Sequence, residues 1–240
     1  MDNLLKVMEK LRAPDGCPWD REQTHQSLKT NLVEEAYEVV DAIDSGEDSP
    51  LCEELGDLLL QIAFHCVIAQ ESGRFNYDQV EKGICDKLVS RHSHIFGNDT
   101  AKNADEVLKL WQANKRKEKG QPTMTKAMED IPASFPALME SYKVLDKAAS
   151  VGYGSKTTTE AFDNLETQSH LVKKEIQEEN PSDMETLIGS LLFSLVDVCR
   201  LLKIDPEIAL HKTVKNFKNR FSLLEKQWLE DKEKGQGKGQ

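Results

Sequence analysis

The chemistry in this sequence is concentrated in two acidic runs: Glu34-Glu35 with Glu38 one turn on, and Glu53-Glu54 followed by Asp57. Leu32, Val33, Ala36, Val39, Val40 and Ile43 recur at helical spacing, which predicts an amphipathic helix with the first run beside its apolar face. Like charges one turn apart cost only a few tenths of a kcal/mol each, and a solvated acidic face would by itself explain them. The next helix, expected over residues 51–70, changes that reading. Its apolar residues cover almost the whole circumference and leave one polar stripe, Glu54, Asp57, Gln61 and His65. Carboxylates on a buried helix carry a large desolvation cost unless positive charge faces them, and no Lys or Arg shares the segment. A short polar turn over 44–50 makes the two helices antiparallel neighbours, which can set Glu54 and Asp57 opposite Glu35 and Glu38. Converging carboxylates without an internal counter-charge call for a hard divalent cation, Mg²⁺ first and Mn²⁺ as its substitute. The opposing reading is two unrelated acidic faces.

Mg²⁺ commonly bridges carboxylates to substrate phosphates, so cationic side chains should follow. Lys87 and Arg91 share a helical face, and Trp111 and Lys115 lie one turn apart ahead of Lys117 and Lys119. These suit a polyphosphate, although a basic run is also what a solvated helix shows. Trp19 and Trp111 are candidates to face a base, with burial in a core as the alternative for each. His92-x-His94 does not put both rings on one face and has no cysteine partner, so zinc is not expected. His94 reads as a capping or packing residue, and His65 either supports the acidic stripe or is hydrogen-bonded in the bundle.

The elements that must position these groups are helices throughout. Period-2 alternation is absent, while apolar spacings of three and four persist through Leu4, Val7, Met8 and Leu11 and again through Val214, Phe217, Phe221 and Leu224. The fold class is therefore all-α. Breaks at 14–19, 44–50, Gly73, 92–98 and 120–122, a bracketed piece between Pro132 and Pro136, and a frayed tail at 235–240 punctuate it. Residues from Gly56 to Cys66 can be laid on Gly189 to Cys199, Lys87-x3-Arg91 on Asn216-x3-Arg220, and Trp111-x3-Lys115 on Trp228-x3-Lys232. This pattern predicts a duplication: an N-terminal domain over 1–119, a connecting segment over 120–154 and a C-terminal domain over 155–240. The second copy is degenerate. Leu187, Ser190, Ser194 and Val198 replace the polar stripe, and Lys174 replaces one carboxylate of the first run. Catalysis is therefore expected in the N-terminal half alone.

A formal charge of −11, from 31 basic and 42 acidic residues, disfavours a nucleic-acid polymer as partner. The apolar stretches 58–69 and 191–202 are too short and too interrupted to span a bilayer, and no secretory leader precedes them, so the cytoplasm is the expected compartment. Five cysteines without a CxxC pair read as reduced thiols, Cys17 among them as structural.

Cys17-Pro18-Trp19-Asp20, Gln23-Thr24-His25-x2-Leu28, Glu34-Glu35-x2-Glu38, Glu53-Glu54-Leu55-Gly56-Asp57 and Lys87-Leu88-x2-Arg91-His92-x-His94-x-Phe96 together resemble the MazG family of nucleoside triphosphate pyrophosphohydrolases. The resemblance implies tandem helical bundles of four-helix type, a homodimer, and Mg²⁺-dependent cleavage of a nucleoside triphosphate between its α and β phosphates. It implies Glu35, Glu38, Glu54 and Asp57 as metal ligands and Glu34 as the residue that orients or deprotonates water, a place exchangeable with Glu35. Lys87, Arg91 and Lys115 would hold the leaving pyrophosphate, and Trp19 or Trp111 the base. Two rivals remain: a related pyrophosphohydrolase restricted to phosphoribosyl-ATP or a deoxynucleotide, and a non-enzymatic helical interaction module.

Overall fold

The computed structural model describes residues 1–120, 123–178 and 183–236, and the regular elements among them are all helical. In chain order they are α1 (Asp2–Arg12), α2 (Pro18–Glu22), α3 (Lys29–Ser45), α4 (Asp48–Glu71), α5 (Tyr77–Arg91), α6 (Ser93–Phe96), α7 (Ala104–Glu118), α8 (Met124–Glu129), α9 (Ala137–Ala149), α10 (Thr158–Gln177), α11 (Met184–Leu201) and α12 (Pro206–Gln236). The all-α expectation holds. The chain forms two compact units, Met1–Lys115 and Arg116–Gln240, divided in the last turn of α7. Residues 120–154 carry α8 and α9, and α9 packs against α11 and α12 of the second unit. The break expected at Gln121 and Pro122, and most of the expected tail at 235–240, lie outside the described residues.

In the first unit the polar turn is shorter than its composition suggests. Gly46, left-handed at φ 72°, caps α3 by donating its N–H to the Ile43 carbonyl, and α4 starts two residues later. Glycine reaches that conformation without the Cβ clash that other residues meet. The reversal lays α3 along α4 in an antiparallel hairpin. The core gathers on the C-terminal half of α4, where Ala63, Phe64, Val67 and Ile68 close on Met8 of α1 and on Leu28. Each large side chain buried there stabilises the unit by about 1.5–3 kcal/mol.

The N-terminal half of α4 departs from the sequence expectation of burial on nearly every side. Leu55, Leu59 and Ile62 are 49%, 41% and 39% exposed, and Val33 and Ile43 of α3 are exposed as well. Period and composition register an apolar circumference, but the packing of the described residues leaves this outer stripe exposed.

One arginine holds the segment that carries Trp19 and His25. The Arg12 side chain, 7% exposed, donates to the Glu71 carboxylate from Nη2 at 2.7 Å and from Nε at 2.9 Å. Its Nη1 donates to the carbonyl of Asp20 and, at 3.2 Å, to that of Gln23. The end of α1, the end of α2 and the end of α4 are thus tied at one guanidinium, whose planar fork suits this bidentate contact. At Gly16 a Cβ would collide with the backbone oxygens of Leu11 and Lys10, so only glycine lets this loop close.

In the second unit α10 and α11 pack together as α3 and α4 do. Asp197 is buried and paired with Arg200 at 2.7 Å, and Arg200 also donates to the Ser155 carbonyl at 3.0 Å. Among the described residues no helix is long and apolar enough to cross a membrane.

Candidate functional site

The α3–α4 hairpin brings three of the expected carboxylates together. Glu35, Glu38 and Glu54 each offer an oxygen within 4.8 Å of the others. Glu38 follows Glu35 by one turn of α3, and the antiparallel return of α4 puts Glu54 across from both. Glu35 is pushed above the ordinary carboxylate value by burial first, then by the charges of Asp57 and Glu38, by a hydrogen bond with Glu38, and by Glu54. Glu54 is raised by burial and then by Glu38, Asp57 and Glu53. Asp57 stands beside this trio, half-buried, and is the largest charge acting on Glu35. Glu34 is exposed. Among the described residues no Lys or Arg forms an ion pair with Glu35, Glu38 or Glu54. A set of hard oxygen donors that repel one another and lack a counter-charge fits a divalent cation.

The expected cationic group assembles around Trp111. The Arg91 guanidinium lies 5.0 Å from the centre of its ring and the Lys115 ammonium 5.2 Å, so the indole has two cations against it. Asn114 of α7 donates to Ser93 Oγ at 2.9 Å and to the Arg91 carbonyl at 3.4 Å, which fixes α7 against the end of α5. Arg91 is 8% exposed, a cost met only where the charge has partners. Lys87 is exposed one turn earlier on α5. The carboxylates belong to α3 and α4, whereas these cations belong to α5 and α7. Trp19 is 56% exposed and rests edge-on against Phe64, with centroids 6.3 Å apart. It borders the first unit's core without being buried in it.

Sequence reasoning missed the arrangement around His65. Its ring stacks on His25, with Nδ1 of each 2.7 Å apart, and His25 Nε2 lies 2.6 Å from Arg74 Nη2. Neither Arg12 nor Arg74 announces its contact in the sequence, because the partners are distant along the chain and share no motif with them. His92 uses Nδ1 to donate to the Leu88 carbonyl at 2.7 Å, ending α5, and His94 lies half-buried beside it. Cys17 precedes α2 and its N–H donates to the Leu11 carbonyl, a structural use.

At the positions of the second unit that the sequence laid on the acidic run and polar stripe, several side chains have partners within the unit. Lys174 lies 3.7 Å from Glu178, so this carboxylate has a cation beside it. The hydroxyls of Ser190 and Ser194 turn back to carbonyls of their own helix, at 2.9 Å each. Among the described residues the Glu35, Glu38, Glu54 trio is the only such group of possible metal ligands.

The model of the MazG nucleotide pyrophosphohydrolase domain matches residues 23–96, the stretch that holds the carboxylates. The nucleoside triphosphate pyrophosphohydrolase/pyrophosphatase MazG of Thermotoga maritima is 40% identical over 93% of this chain and 85% of its own length. This chain belongs to the MazG family. A second relative, the nucleoside triphosphate pyrophosphohydrolase of Escherichia coli K12, is 39% identical over 94% of the chain and 87% of its own. The uncharacterized protein YabN of Bacillus subtilis is 37% identical over 91% of this chain but only 45% of itself.

Proposed function

We propose that this MazG-family protein is a nucleoside triphosphate pyrophosphohydrolase whose single working site lies in the N-terminal unit and uses Mg²⁺, or Mn²⁺ in its place. The observation that carries the proposal is the trio of carboxylate oxygens within 4.8 Å without a counter-charge. Glu35, Glu38 and Glu54 would hold the cation, with Asp57 beside them. A bound cation would supply neutralisation of the phosphate oxygens and acidify water, the two needs of phosphoanhydride hydrolysis. Glu34, exposed next to Glu35, accepts a proton from the attacking water. Lys87, Arg91 and Lys115 neutralise the departing pyrophosphate, and the Trp111 ring keeps the last two cations oriented. The products are a nucleoside monophosphate and pyrophosphate.

A homodimer belongs to the same proposal. Leu55, Leu59 and Ile62 form one exposed stripe at i, i+4, i+7 on α4, beside exposed Val33 and Ile43 of α3. The hairpin is half of a four-helix bundle, and a second copy supplies the other half. The substrate is a free nucleotide in the cytoplasm, and no nucleic-acid polymer or membrane is involved. Incubation with Mg²⁺ and each nucleoside triphosphate, with products resolved by ion exchange, tests the reaction. Monophosphate with pyrophosphate, abolished by Glu38→Gln with helicity retained, supports it; diphosphate with phosphate overturns it. Light scattering that gives the mass of one chain overturns the dimer.

A further inference from the structure

Beyond the carboxylates, the polar stripe of α4 ends in two buried groups whose hydrogen-bonding capacity is unmet. Gln61 is 5% exposed, and its Oε1 is buried with no partner. His65, one turn on, has Nε2 buried with no partner. The chemical character of that nitrogen follows from the chain of contacts behind it. Arginine only donates, so Arg74 Nη2 at 2.6 Å makes His25 Nε2 an acceptor. The proton of the neutral His25 ring is then on Nδ1, which donates across 2.7 Å to His65 Nδ1. His65 therefore carries its own proton on Nε2. Burial is the first cause that holds both imidazoles below their ordinary value, in keeping with neutral rings. An orphan acceptor and an orphan donor thus stand one turn apart on a single helix face.

Such groups are costly to bury and persist where a ligand, or a water that a ligand displaces, satisfies them. A hydroxyl does both tasks at one atom: it donates to Gln61 Oε1 and accepts from His65 Nε2. On the proposed function, on which this inference rests, a cation held by Glu35, Glu38 and Glu54, with Asp57 beside them, would draw the substrate's phosphates to the start of this stripe. Gln61 follows Asp57 by one turn, about 6 Å along α4. The sugar of a nucleotide hangs from its α phosphate through one oxygen and one methylene, so its hydroxyls reach that distance. Exposed Trp19, against Phe64 next to His65, bounds the same end of the helix. We infer that Gln61 and His65 bind a hydroxyl of the substrate's sugar and so set the sugar specificity of the site, with Arg74 and His25 as positioning residues that fix the proton on His65 Nε2.

The test compares kcat/KM for a ribonucleoside triphosphate with its 2′-deoxy, 3′-deoxy and 2′,3′-dideoxy analogues, in the unaltered protein, Gln61→Met and His65→Leu. The unaltered protein is expected to disfavour the dideoxy substrate by at least about tenfold, carried mostly by KM, with one monodeoxy analogue identifying the hydroxyl read. Each substitution should lower activity on the hydroxyl-bearing substrate by a similar factor and leave the dideoxy rate within about twofold, erasing the discrimination. Gln61→Met should also raise the melting temperature, because it removes a buried acceptor without a partner; a structural role would lower it. Equal loss on all four substrates, or a dideoxy analogue cleaved as fast as its parent by the unaltered protein, overturns the inference. No cleavage of any triphosphate by the unaltered protein overturns the proposed function instead, so the two failures are distinct.

Discussion

Arg12→Met replaces a guanidinium by an apolar side chain of similar reach and isolates what the charge contributes. Two of the guanidinium's hydrogen bonds go to Glu71, whose side chain is 44% exposed, so water replaces much of that pair and its worth is about 0.5–1 kcal/mol. The bonds to the Asp20 and Gln23 carbonyls are half-buried and made by a charged donor, about 1.5 kcal/mol or more each. The variant should therefore be destabilised by about 3–4 kcal/mol. For a unit of about this length, melting moves about 3–5 °C per kcal/mol, so a fall of about 10–20 °C is expected. Thermal melting by circular dichroism measures it, with Glu71→Gln and the double variant completing a cycle. Glu71→Gln alone should shift melting by only a few degrees, and the coupling in the cycle should stay near 1 kcal/mol. Because the same guanidinium anchors the segment from Trp19 to His25, activity at a temperature where the variant is folded should fall through KM. A melting shift below about 2 °C would refute the reasoning, since it would mean that the two carbonyls find other donors at no cost.

Three further outcomes follow from particular contacts. Gly16→Ala forces a Cβ onto the Leu11 and Lys10 carbonyls and should cost about 1–3 kcal/mol, read from the urea midpoint; an unchanged midpoint would show that the loop yields freely. His25 and His65 are both held below 6.5, so the unfolded chain takes up protons first. Their contribution is intact above about pH 6.5 and is lost as pH falls below it, and replacing both by Gln should flatten the stability profile across that window. Millimolar Mg²⁺ should raise the melting temperature, as binding to the folded state alone requires, and Glu54→Gln should abolish the rise; a rise that survives the substitution places the ion elsewhere.

What the sequence determined by itself is what short-range periodicity can encode. Helical spacing named α1, α3, α4 and α12, the Glu34-Glu35-x2-Glu38 and Glu54-x2-Asp57 runs named the carboxylates that the hairpin brings together, and the polar turn made α3 and α4 antiparallel, whereas α9 fell inside what the sequence read as a connecting segment. Tertiary structure decided the rest because the contacts join residues that no local period relates. Arg12 meets Glu71 across 59 positions and His25 meets His65 across 40, and neither pairing leaves a mark on the pattern of its own helix. Composition made α4 apolar all round, but only the placement of α1 and α3 could decide which half is covered within the chain. The tautomer of His65 is further still from the sequence: it is set by an arginine two contacts away, because a donor at one end of a chain of imidazoles fixes the polarity of every bond along it.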